Sequence, residues 1–166
     1  MARMRERTLR ASASAEATLV GVVLDLAEAG EPVVAKTTSG RTVQGWVKLV
    51  ARDAIVVESS AGVLSYVPLR HLTSVRRSPD GGPVRPSEPT GDRPAPRETT
   101  FANLVADLAA DRPRVALVVD GEQSVMRGEL RAAGTDVLTV RLDGDPPATV
   151  YLATAQLSEL TVLASG

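Results

Sequence analysis

Arg70, His71, Arg76 and Arg77 fall close together and form the densest cluster of side-chain donors outside the N-terminus. Guanidinium groups present forked donors that fit oxyanions, so the chemistry open to this cluster is the binding of phosphate oxygens, RNA included. His71 is the one histidine of the chain, so a Ser-His-Asp arrangement would depend on it alone. No nucleophile or orienting carboxylate stands near it at a recognisable spacing. A second group, Glu129, Asp136, Asp143 and Asp145, offers oxygen donors for a hard cation. Asp143-Gly144-Asp145-Pro146-Pro147 lacks the spaced carboxylates of a calcium loop, however, and reads as a polar turn. Cysteine is absent, which excludes disulfides and thiolate metal sites, and one histidine excludes a histidine ligand cluster within the chain. The expectation is a protein that is not an enzyme, with no cofactor, no metal and no small-molecule substrate.

The elements that carry these residues are short. Hydrophobic residues make up 43% of the 166 but aromatics only 2%, so the core must be built from Val, Leu and Ala. Valine favours strands. Residues 1–15 hold four arginines and read as a flexible basic tail, an arm for RNA or a partner in its functional reading. Leu19, Val22, Val23 and Leu26 then recur at one face of a helix over residues 16–29, with Ser12 or Ser14 as cap and Gly30 as its end. Five short strands follow: 33–38, 41–50 with Gly45 inside it, 54–59, 63–68 and 72–76. A glycine within a strand marks a bend, a bulge or a close backbone approach. Trp46, next to it, reads as partly buried packing, or as an interface anchor if exposed beside Tyr66.

Residues 78–98 contain six prolines and form a semi-rigid linker between two modules, 16–77 and 99–166. The second module repeats the first. Phe101, Leu104, Val105 and Leu108 reproduce the helical face at an offset of 82, with Thr99 or Thr100 as cap. Gly128 matches Gly45 and Asp136 matches Asp53 at an offset of 83, and Tyr151 matches Tyr66 at 85. The drift falls in turns, where insertions are tolerated. A tandem duplication is the consequence.

A helix, then five short bent strands carrying G-R-x-V-x-G-x-V and a loop aspartate before I-V-V, resembles the Sm/LSm family of small SH3-like β-barrels. The resemblance covers most of both modules. It implies a mainly β protein of two five-stranded open barrels, each with a short N-terminal α-helix, in which Gly45 and Gly128 permit the bend of the second strand. Asp53 and Asp136 take the family's loop position, and these four are the expected structural residues. The family's RNA sites use an Asn soon after that aspartate and an Arg/Lys-Gly pair near the last strand. Here Asp53 is followed by Ala-Ile-Val-Val, and Pro68-Leu69 and Ala153-Thr154 replace the pair.

The barrels have open edges, and unpaired edges invite strand addition. The functional expectation is therefore a scaffold that self-associates through its edge strands, as a homo-oligomer or an internal pseudo-dimer of barrels. The alternative is an RNA-binding Sm-like regulator using the basic tail and Arg70, His71, Arg76 and Arg77. Up to residue 83 the chain has eleven Arg/Lys against eight acids, net +3, and beyond it eight against twelve, net −4, so no global charge favours nucleic acid. No apolar run reaches the ~18 residues of a membrane span, and no signal-peptide core follows the basic start, so a cytoplasmic location is expected.

Overall fold

A computed structural model describes residues 2–79 and 98–164, so the expected linker lies almost wholly outside the described residues. Helix α1 (Ala2–Ala15) opens the chain, α2 (Leu19–Ala29) follows, and then come β1 (Val33–Thr37), β2 (Thr42–Val50), β3 (Ala54–Glu58), β4 (Leu64–Pro68) and β5 (Leu72–Arg77). The rest consists of α3 (Phe101–Ala110), β6 (Arg114–Val119), β7 (Val125–Ala133), β8 (Val137–Leu142), β9 (Ala148–Ala153) and β10 (Leu157–Val162). A short 3-10 turn precedes each last strand, at Leu69–His71 and Thr154–Gln156. The class is mainly β, as composition and pattern imply: ten antiparallel strands in one open sheet, with three helices among the described residues.

The basic start is a helix rather than a structureless tail. Ala, Met, Leu and Arg all favour helix, Glu6 pairs with Arg10 one turn on at 2.7 Å, and the Thr8 hydroxyl donates to Met4 O. Its described side chains are all exposed. Helix α2 begins later than the spacing predicts. Thr18, not Ser12 or Ser14, caps it by accepting from Gly21 N at 3.0 Å, and Gly30 ends it at φ 66°. Its packed face is also rotated. Val23 and Leu26 are buried and Val20, Leu24 and Ala27 pack beside them, whereas Leu19 is exposed. In α3 the expected face holds: Phe101 and Val105 are buried, Leu104 and Leu108 pack partly, and Thr100 is the cap.

Strand β2 serves two neighbours in turn. Its first part pairs with β1 (Val33↔Gly45, Lys36↔Thr42) and its second with β3 (Trp46↔Glu58, Val50↔Ile55). Gly45 is the pivot. A Cβ there would sit 2.0 Å from Glu58 O, so only glycine lets the strand fold over its neighbour. Strand β7 repeats this at Gly128, where a Cβ would lie 2.2 Å from Arg141 O, and both strands carry a register shift at matching places (Val47/Leu49, Leu130/Ala132). The roles expected of Gly45 and Gly128 thus have a direct geometric cause.

Strand order is β5-β1-β2-β3-β4-β10-β6-β7-β8-β9. The order of the first five strands recurs in the last five, and β4 joins β10. Apolar packing does not divide in the same way. Val23, Ala35, Val43, Val50, Ile55, Val57, Val67 and Leu72 form a core belonging to the first half alone. The other core, around Val105, Leu117, Leu130 and Leu160, also takes in Ala51, Ala54, Val56 and Tyr66 from the first half.

Candidate functional site: the seam between the halves

The β4–β10 pairing is short, Leu160↔Tyr66 and Thr161↔Ser65, and it is reinforced by side chains that the chain otherwise keeps far apart. Ser65 and Thr161 hydroxyls meet at 3.0 Å, and buried Ser39 and Ser158 at 2.8 Å, with Ser158 donating on to Val118 O. Thr38 donates to Asp120 at 2.6 Å. His71, buried in its 3-10 turn, has Nδ1 3.2 Å from Thr38 Oγ1 and 3.7 Å from Asp120 Oδ1. Its Nε2 lies 3.1 Å from Ala155 O; a carbonyl only accepts, so Nε2 is the donor there. The Arg70 guanidinium donates to the same carbonyl. Arg41 pairs with Glu159 at 3.2 Å, which leaves that buried carboxylate with a partner.

The loop aspartates serve the same seam. Asp53 O accepts from Leu69 N at 2.8 Å and Asp136 O from Thr154 N at 2.9 Å, so each ties its loop to its own 3-10 turn. The Asp53 carboxylate reaches further and accepts from Phe101 N at 2.7 Å, satisfying a first-turn amide of α3. Asp53→Ala is expected to cost about 1 kcal/mol, the usual worth of a helix N-terminal acceptor, and urea denaturation measures it. A loss no larger than that of an exposed-surface substitution would mean that Asp53 does not hold α3.

Between these loops lies a cavity of about 540 Å³, walled by Arg52, Asp53, Arg70, Phe101, Asp136 and Thr154 among others. Thr154 Oγ1 is buried there without a hydrogen-bond partner among the described residues. The basic cluster of the sequence is thus dispersed. Arg70 and His71 reach across the seam, Arg77 pairs with Glu31 at 2.5 Å, and Arg76 stays exposed in β5. The acidic group separates as well: Asp136 borders the seam, while Glu129 and Asp143 share a different pocket with arginines. Among the described residues, no three His, Cys, Asp or Glu side chains converge as metal ligands would. Trp46 is 38% exposed opposite Glu58, and Tyr66 is buried two strands away, so the two do not form one surface.

Sequence reasoning missed Thr38, Ser39, Asp120, Ser158 and Glu159. The signal available was polar residues at strand positions that the pattern reserves for apolar ones, as in Leu157-Ser158-Glu159-Leu160, all four buried. No helix is long and apolar enough to cross a membrane among the described residues. No family model, curated protein or solved structure matches the chain.

Proposed function

We propose that the chain is a non-catalytic scaffold of two tandem Sm-like barrels that self-associates through its edge strands. The observation that carries this reading is the contrast between Tyr66 and Tyr151. They occupy equivalent places on β4 and β9. Tyr66 is 8% exposed because β10 and its core are docked on β4; Tyr151 is 71% exposed on β9, at one end of the sheet. At the other end stands β5, whose place in the first half is that of β10 in the second. The edge that β4 offers to β10 inside the chain is therefore offered again by β9, and β5 of a second copy is the strand that fits it. Exposed edges with a large aromatic are an association hazard unless they are used.

Light scattering behind a sizing column tests this. The wild-type chain should run as an oligomer whose mass rises with concentration, and Tyr151→Lys should reduce it to a monomer with unchanged circular dichroism. A wild-type monomer at all concentrations would overturn the reading.

A second reading, an RNA-binding Sm-like regulator, is favoured by α1, whose Arg3, Arg5 and Arg7 are exposed along one helix. It predicts salt-sensitive binding of a mixed-sequence RNA that disappears when residues 1–15 are removed.

A further inference from the structure

The second half is acidic overall, yet the β6–β7–β8 face gathers arginine. Register sets Arg114 opposite Glu129 and Glu129 opposite Arg141. With Arg131 and Asp143 these residues wall a cavity of about 240 Å³. Three guanidinium groups face two carboxylates, and the pairing is incomplete. Arg114 donates to Asp143, a contact that holds the Asp143 carboxyl below its ordinary range and raises Arg114. Arg131 Nε lies 2.9 Å from Glu129 Oε1 but off the N–H direction, so this buried donor makes no hydrogen bond. Arg141 is exposed and has no side-chain partner among the described residues.

The pocket is not a by-product of the repeat. At the matching positions the first half has Trp46, Lys48 and Glu58 where the second has Glu129, Arg131 and Arg141, and Lys48 is occupied by Glu58 at 3.6 Å. Two guanidinium groups with unmade hydrogen bonds, held by neighbouring strands, form a donor set for a compact oxyanion. A carboxylate ligand would leave donors of the third arginine unused, whereas a tetrahedral phosphate offers oxygens in more than one direction.

We propose that this pocket binds a small phosphate-class oxyanion, inorganic phosphate or the phosphate of a monoester, between Arg131 and Arg141 with Arg114 at its rim. The site lies away from the seam and does not depend on self-association. The test is calorimetric titration of the full chain with inorganic phosphate and, separately, glycerol phosphate, in a buffer free of other oxyanions. Wild type and Lys48→Ala, which removes the same charge from the matching strand of the first half, should bind saturably. Arg141→Ala, exposed in β8, should bind about tenfold more weakly while keeping its circular dichroism and melting temperature. Tighter binding of the ester would assign the pocket to an organic phosphate, and equal binding to the free ion. The Arg131 Nε–H resonance should move on titration. No saturable heat with either ligand would overturn the proposal. So would equal affinity in Arg141→Ala and Lys48→Ala, an unmoved Arg131 signal, or binding confined to an oligonucleotide.

Discussion

A chain cut to residues 98–166 is expected to remain unfolded, while residues 1–79 alone fold. The two halves have near-equal lengths and the same strand order, so pattern alone predicts equal behaviour. Packing predicts otherwise. The core around Val105, Leu117 and Leu160 is completed by Ala51, Ala54, Val56 and Tyr66, which the fragment lacks. Burying a side chain the size of Val or Phe is worth roughly 1.5–3 kcal/mol, so Tyr66 and Val56 together supply several. The cut also removes His71 and Arg70 from Ala155 O, Ser65 from Thr161 and Arg41 from Glu159. A domain of this size has only about 5 kcal/mol of net stability, which that sum consumes. The core of the first half includes no residue of the second, so it survives the cut. Far-UV circular dichroism with thermal melting of both fragments is the measurement. A cooperative melt for 98–166 would show that its core closes without Tyr66.

Gly45→Ala is the point substitution with the largest expected cost, roughly 3 kcal/mol, and Gly128→Ala should match it. The added methyl would stand 2.0 Å from Glu58 O in one case and 2.2 Å from Arg141 O in the other, against backbone that cannot rotate away. Relief requires β2 to lift from β3, and β7 from β8, which breaks the strand pairing at its pivot. Gly40→Ala is the proper comparison. Its φ of 76° strains any side chain, but no atom lies within 4 Å of the added group, so about 1 kcal/mol is expected. Gly45 also carries a positive φ of 154° and Gly128 does not, so the urea midpoints of Gly128→Ala and Gly40→Ala separate steric exclusion from backbone strain. Equal losses at Gly40 and Gly128 would remove the close approach as the cause.

The sequence pattern made local features legible and hid those that depend on distant partners. Gly45 and Gly128 stood out because a glycine inside a strand is informative by itself, and their common offset doubled the signal. Thr100 capped α3 as expected because a cap and its helix are contiguous. Helix α2 came out rotated because Leu19 extends the apolar spacing by one residue too many; nothing local says that it faces water. Asp53 was recognised as a loop residue, but Phe101 N, 48 residues on, was not visible as its target. Arg70 and His71 were visible as donors, while Ala155 O and Asp120 become their partners only through the β4–β10 pairing. Tyr66 and Tyr151 are identical in pattern and opposite in exposure, since one strand is internal to the sheet and the other ends it. Position within an assembly leaves no mark on periodicity.

The serial order of the sheet also constrains counting. Each chain brings two five-strand sets covalently fixed in sequence, with β5 at one end and β9 at the other. Any closed assembly built by joining those ends holds an even number of sets, whatever its circumference, and odd-membered rings are excluded by parity. Two kinds of joint must alternate around it. One is stitched by Ser39–Ser158, Ser65–Thr161 and His71–Ala155. The other places Val150 and Gln156 where Ser65 and His71 would stand and so lacks most of those stitches. Such a closed chain of subunits has its weak links built in at every second joint, and dilution would open it there, releasing intact pairs of sets rather than single ones.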